Sequence, residues 1–420
     1  MWFLGFIFHE MTCGLLSVFL SLYVIYVLGG GLIDVGLMTA LASFMAIPSS
    51  YFWGYLCDKT GRYKIYILFS FLSLAFLFFL LTLTKTVLMF ILLYALVGVF
   101  HVAHEPPKNV LIAESRSRPE WERGFASYEA LTGFGWLLGL LLGFVLSSYG
   151  FLNMSMLFLC SFLNLVAFAT SAILVRDPGL IFERRLVNIE RSIGFVCQGC
   201  FLAYQASGEI NAADLNEESL TGDNLSVFCL GLFFFFLASS ILFTPLPVFF
   251  SQKLSLSSNI VFAIFLLNSL GNLFGYIFVG VRSGRVEERV LVKNTAILRG
   301  FLCLLLSFAI FSLSIYTLVL SGVVLILIGI AYGVFHISTI SLSMELIPEG
   351  KAGLYNALIG LGAAVGCFVG SFLADRFDFV SLFVTSSLLF VLSFVAFKQS
   401  IKSVGSTLSY PLSLNKSETT

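Results

Sequence analysis

Charge is what this sequence has least of. Asp, Glu, Lys and Arg together make up 11% of 420 residues, where soluble proteins carry about a quarter. That scarcity, with 59% hydrophobic residues and a mean hydropathy of +1.00, excludes an ordinary soluble chain and leaves a polytopic membrane protein. The formal net charge is zero, so the basic face that nucleic-acid binding needs is missing. No G-x-x-x-x-G-K-[ST] phosphate loop occurs, so ATP is not the direct energy source, and neither G-x-S-x-G nor H-E-x-x-H appears. His9-Glu10 lacks the second histidine of the latter motif. Not an enzyme, and no cofactor, is the expectation. Tryptophan is scarce, four against 47 phenylalanines, which fits lipid-facing and helix-packing surface better than a sugar-stacking site. No basic leader precedes the first apolar run, which starts at Trp2 and is long enough to span a bilayer rather than to be cleaved.

Cysteine is sparse in the same sense. Eight are scattered, mostly inside apolar runs where Cys behaves as a small hydrophobe. Only Cys197-Gln-Gly-Cys200 has metal or redox spacing, and one such pair is half of what tetrahedral zinc requires. No metal site is expected.

What is present is a series of apolar runs. Spans are predicted near 2–28, 35–56, 65–84, 87–107, 125–149, 152–175, 226–250, 258–280, 293–314, 317–342, 353–374 and 379–398. Of the 23 Lys and Arg, all but Lys85, Lys253, Arg376 and Arg299 fall on the side of the two termini, which predicts both termini cytoplasmic. Arg299 is expected to snorkel from the ninth span to that surface.

The chain repeats itself. Tyr128-x-Ala130-Leu131-x-Gly133-x-Gly135-x-x-x-Gly139-x-x-x-Gly143 recurs as Tyr355-x-Ala357-Leu358-x-Gly360-x-Gly362-x-x-x-Gly366-x-x-x-Gly370, and Gly98-Val99-Phe100-His101 recurs as Gly333-Val334-Phe335-His336. Two six-span halves follow, residues 1–175 and 226–398. Between them residues 176–225 form a linker, with an amphipathic helix near 181–193 and an acidic stretch from Asn211 to Asn224. Residues 399–420 form a polar tail.

Gly54-Tyr55-Leu56-Cys57-Asp58-Lys59-Thr60-Gly61-Arg62-Tyr63-Lys64 is read as a short polar loop between the second and third spans. Gly54 there permits close helix approach, Gly61 a tight reversal, and Asp58 with Arg62 opposite charges that can pair and part. The second copy, Arg282-Ser283-Gly284-Arg285, has Val281 where the acid would stand. With its position after the second of twelve spans, this G-x-x-x-D-x-x-G-R-x-K loop resembles that of the major facilitator superfamily. The duplicated glycine stripes and the matching Glu114, Pro119-Glu120 and Glu345, Pro348-Glu349 segments extend the resemblance over about residues 2–398.

The resemblance implies an all-α fold of two pseudo-symmetric six-helix bundles around a central cavity, with the first, fourth, seventh and tenth spans at its centre. It implies alternating access by rocking of the halves, with Gly54, Asp58, Gly61 and Arg62 as the gate. Leu140 and Phe144 depart from the glycine-proline motif of the family's drug antiporters, which counts against that class. A small-molecule substrate, protons, the lipid bilayer of the plasma membrane and a monomeric state complete the expectation. A solute-binding receptor and a lipid-moving protein are the alternatives.

Polar groups inside spans are costly and mark candidate sites: His9, Glu10, His101, Glu129 and His336. A carboxyl without a fixed cation can hold a proton while the cavity is closed and release it when water arrives. Glu129 alternatively pairs with Lys108 or Arg123 at the membrane edge, and His101 and His336 alternatively serve helix packing. Asn268 and Asn272 share a face of the eighth span and either bind a polar solute or join helices. Gly135, Gly139 and Gly143 match Gly362, Gly366 and Gly370 as stripes for close packing or sliding, placed at the interface between halves.

Overall fold

The computed structural model describes residues 2–114, 121–177, 224–282, 288–308, 315–346 and 353–400. Among them, twelve helices are long and apolar enough to cross a membrane. They are α1 (Leu4–Tyr26), α2 (Leu32–Thr60), α3 (Tyr63–Thr82), α4 (Val87–Ile112), α5 (Gly124–Ser148), α6 (Met154–Leu174), α7 (Leu225–Lys253), α8 (Ser258–Arg282), α9 (Glu288–Ser307), α10 (Leu318–Ser343), α11 (Tyr355–Phe377) and α12 (Phe379–Ser400). The amphipathic segment near 181–193, the Cys197/Cys200 pair and the tail from 401 lie outside the described residues.

The packing repeats between halves. α1 packs on α5 and α6, α2 on α4, and α3 on α4 and α6; the same relations recur as α7 on α11 and α12, α8 on α10, and α9 on α10 and α12. The halves meet along α2–α11 and α5–α8. Phenylalanine serves two environments: Phe76, Phe162 and Phe301 project outward, whereas Phe235 and Phe335 stack with centroids 3.4 Å apart inside the second half.

Local chemistry sets where helices stop. Gly61, at φ 62°, closes α2 in the left-handed conformation and donates its N–H to the Cys57 carbonyl at 2.8 Å. Residues 54–60 are therefore helical, and the predicted loop shrinks to Gly61 and Arg62, because one left-handed glycine is enough to reverse the chain. Gly54 makes no close approach; a Cβ there would meet only Pro106 at 4.0 Å. Asn153 and Asn224 cap α6 and α7 with their side-chain oxygens.

Prolines shape α4 and α7. The helix from Val87 ends at His101, turns through a 3-10 segment Val102–His104, and resumes as Glu105–Glu114. Pro106 and Pro107 sit in its first turn, where a missing N–H costs nothing. The fourth span thus outruns its predicted end at 107, and Lys108 is buried in it rather than lying in a loop. α9 starts at Glu288 instead of 293, since its polar first turn faces α10, where Ser341 donates to Glu288 at 2.9 Å; of its predicted end, residues 309–314 lie outside those described. This shift brings Arg299 past mid-helix, and at 1% exposure it does not snorkel.

Candidate functional site

A cavity of about 760 Å³ lies between the halves. Besides α1, α4, α7 and α10, its walls include residues of α2, α5, α8 and α11, with Phe78 of α3 and Arg299 of α9. Every predicted polar candidate faces it: His9, Glu10, His101, Glu129, Asn268 and His336. The gate residues do not; Asp58 and Arg62 are exposed at the end of the bundle where α2 hands over to α3.

His9 is the best fixed of these groups. Asn164, fully buried on α6, donates both amide hydrogens, to Thr12 Oγ1 at 3.1 Å and to the Cys160 carbonyl at 2.9 Å. Its Oδ1 is left to accept, so the proton of the His9 ring is on Nδ1, 3.0 Å away. In the neutral ring Nε2 then presents a lone pair, with His101 Nδ1 at 3.2 Å and Cys13 Sγ at 3.6 Å. The ligand atoms of His9, Cys13 and His101 lie within 4.8 Å of one another, a set that suits a borderline metal ion, with Asn164 orienting the first ligand. His101 and His336 have diverged. His101 bonds across to α1, whereas His336 stacks on Tyr332 with centroids 5.5 Å apart and its Nδ1 has no partner.

Behind His9 sits a second layer. The Ser70 hydroxyl donates to the Phe100 carbonyl at 2.8 Å and is left to accept from His104 Nδ1 at 3.2 Å. His104 Nε2 meets Glu105 Oε1 at 3.3 Å, so one further proton is shared between the ring and the carboxylate. Glu105 Oε2 also holds Lys108 Nζ at 2.5 Å, and Lys108 lies over the Tyr128 ring. Lys108 is thereby taken, and no ion pair joins it to Glu129. The Arg123 side chain lies outside those described. The carboxyls of Glu10 and Glu129 accept no hydrogen bond from the described residues and look into the cavity.

The opposite wall carries amides, rings and one cation. Asn268 donates to the Leu325 carbonyl at 2.8 Å, which joins α8 to α10, while Asn272 Oδ1 has no partner. Tyr276, Tyr332 and Arg299 complete that wall.

Apart from Gly143, the glycine stripes pack within each half and not between them. A Cβ at Gly139 would collide with the Met11 carbonyl oxygen of α1, and one at Gly135 would lie 2.6 Å from that of Ile7. Gly362 and Gly366 meet the backbone of α7 at 3.0 and 2.6 Å, and Gly370 collides with Ile241. Only Gly143 crosses to the other half, against the ring of Phe262. The neighbours that do face across are Gly133, 3.6 Å from Tyr276, and Gly360, 2.8 Å from Ile47.

Sequence reasoning passed over His104, Glu105 and Lys108 as site residues, and read Asn164 only as one of several amides that either bind a polar solute or join helices. The first three recur at helical spacing after His101, a signal that the flanking prolines disguised as a ragged span end. Arg299 was visible as the one Lys or Arg more than a turn inside a predicted span.

The Major Facilitator Superfamily model matches residues 2–361. A Multidrug resistance protein MdtG of Dickeya zeae (strain Ech586) is 31% identical over 196 residues, 44% of this chain and 47% of that protein. One of Enterobacter lignolyticus (strain SCF1) is 37% identical over 139 residues, 31% of this chain and 32% of that protein. The matches thus span a third to a half of these relatives. Among solved structures, nucleoside transporter NupG superposes at TM-score 0.67 with 15% identity, covering 96% of this chain and 98% of that one. The human organic anion transporter MFSD10 superposes at 0.65 with 18% identity, covering 94% and 97%.

Proposed function

The chain belongs to the Major Facilitator Superfamily, and from that premise we propose that it is a secondary transporter that carries a small solute across the membrane by alternating access, coupled to protons. The observation that carries the reading is the cavity between the halves, walled by eight principal spans and holding two carboxyls that form no ion pair among the described residues. A carboxyl kept from water and from cations is stabilised by binding a proton, and loses that stabilisation when solvent enters. Glu10 is the coupling group in this reading. His9 and His101, on α1 and α4, line the same cavity and are hydrogen-bonded to each other.

The six-span groups 1–175 and 226–398 rock against each other along α2–α11 and α5–α8, the seams at which they touch. Asp58 and Arg62 act at the α2–α3 turn as the gate, closing when the halves approach at that end. Both termini are cytoplasmic, and the protein works as a monomer. The relatives' name, multidrug resistance protein, favours drug-like solutes and export. Leu140 and Phe144 stand against a motif-type drug antiporter.

The test is transport in proteoliposomes with an imposed pH gradient, across a panel of metabolites and amphiphilic drugs, for wild type and Glu10→Gln. The expected result is gradient-driven accumulation by wild type, and exchange without accumulation in Glu10→Gln. Accumulation by the variant removes Glu10 from coupling. A wild type indifferent to the gradient removes proton coupling. A wild type that binds solute and moves none makes the protein a receptor.

A further inference from the structure

Among the described residues, Arg299 is a cation without a counter-ion. Its side chain lies on α9, 1% exposed, and forms one hydrogen bond, from Nη1 to Ser239 Oγ at 3.0 Å. Its Nε has no partner. Four rings surround the guanidinium: Phe235 and Phe390 at 4.9 Å, Tyr332 at 5.2 Å and Phe243 at 5.7 Å. The ionisable groups near it are Tyr332 and Cys303, and among the described residues no carboxylate pairs with it. Phe235 and Phe390 belong to the buried core, whereas Ser239, Phe243 and Tyr332 line the cavity together with Arg299 itself. The guanidinium is therefore backed by core rings on one side and flanked by the cavity-lining rings of Phe243 and Tyr332 on the other, so that only its edge reaches the cavity.

Removing a charge from water costs several kcal/mol, and ring faces return about 0.5–2 kcal/mol each. Rings also leave the in-plane N–H donors unused, and those donors form the fork that a carboxylate, sulfonate or phosphonate fits. The rest of the cavity is mostly apolar, with Trp136, Phe236, Phe265 and Tyr276 on its walls. Glu10 and Glu129 occupy the first-half wall and would repel a second anionic group there.

We propose that Arg299 is the anion-binding subsite of the cavity, and that the solute is an amphiphile with one anionic group seated on Arg299 and a flat apolar body between the aromatic walls. This rests on the transporter reading for its purpose, but not for its test. Ser239 and Tyr332 hold the guanidinium in place. The anionic group supplies the counter-ion that Arg299 lacks among the described residues.

The experiment is equilibrium dialysis of the full chain in nanodiscs, with empty nanodiscs as blank. Three probes of one shape are compared: 2-naphthoate, 2-naphthalenemethanol and 2-naphthylmethylammonium. Wild type should bind 2-naphthoate tightest, by about tenfold over the alcohol, as a buried charge-assisted pair would give. Arg299→Gln should lose that preference and Arg299→Lys keep part of it. Ser239→Asp supplies an internal carboxylate to Arg299, so it leaves the cation satisfied and should abolish the preference even if Arg299→Gln does not fold. Equal binding of the probes by wild type, a preference for the ammonium, or a folded Ser239→Asp that still prefers the anion overturns the proposal. Anion-selective binding with no transport leaves the subsite standing and removes the transporter reading.

Discussion

Replacing Gly139 by alanine adds one methyl group at a place where α5 and α1 touch through their backbones. A Cβ there collides with the Met11 carbonyl oxygen and lies 2.8 Å from the Met11 carbonyl carbon and 2.9 Å from the Leu15 nitrogen. None of these atoms is the end of a flexible side chain, so the helices must part by on the order of 1 Å, at an overpacking cost of about 1–3 kcal/mol. Gly133, less than two turns away on the same helix, is the control. A Cβ there meets the Tyr276 ring at 3.6 Å and Leu273 Cδ1 at 4.0 Å, both ordinary contacts. Gly133→Ala should be neutral or stabilising by roughly 0.5–1 kcal/mol through reduced backbone freedom in the unfolded chain. The assay is reversible unfolding in mixed micelles, read by helical circular dichroism. Gly139→Ala should shift the unfolding equilibrium constant by about tenfold or more, since 1.4 kcal/mol is one decade, and Gly133→Ala should not shift it toward unfolding. Equal stability of the two variants would show that the stripe does not sit at a tight backbone contact.

The same reasoning extends to the polar groups. Asn164→Ala removes the acceptor of the His9 ring and the donor to Thr12 in a fully buried place; a loss of about 1–3 kcal/mol is expected in the same unfolding assay, and an unchanged midpoint would refute the network. Lys108→Met strands the Glu105 carboxylate beside His104, so it should destabilise the protein, and adding Glu105→Gln should restore part of the loss; a double variant no better than the single one would deny the pairing. Asp58→Asn and Arg62→Ala should each slow transport sharply with folded protein still in the membrane, because both are exposed; unimpaired transport in both would leave them as a plain polar turn.

Much of this fold is legible in the residues because the bilayer allows so few alternatives. Apolar runs of about twenty residues must be helices, since hydrocarbon offers no partner to an unpaired backbone group. Predicted and observed spans accordingly agree within a few residues, except where a capping glycine or a proline pair moved an end, at Gly61 and at Pro106-Pro107, and at α9, which starts at Glu288 rather than 293. The family, too, is carried by a loop motif and a repeat that need no coordinates. His9, Glu10, His101, Glu129, Asn268 and His336 stand out because polarity inside an apolar run is rare. Facing the cavity is what the structure adds to each.

Other facts depend on which helices become neighbours, and no local pattern encodes that. The glycine stripes announce close packing, but only the packing of α5 on α1 and α11 on α7 shows that they tighten each half and leave the seam to other residues. Lys108 read as a loop cation and proved to be the partner of Glu105, since the helix resumes after its break. Arg299 read as a snorkelling side chain, because in one dimension a charge near a span end has a surface within reach. Assembly closed that route by setting α9 against α10 and α12 and surrounding the guanidinium with rings from α7, α10 and α12. Hydropathy is a property of single segments and was settled by the sequence. The partner of a buried charge is a property of several segments at once, and only the tertiary structure decided it.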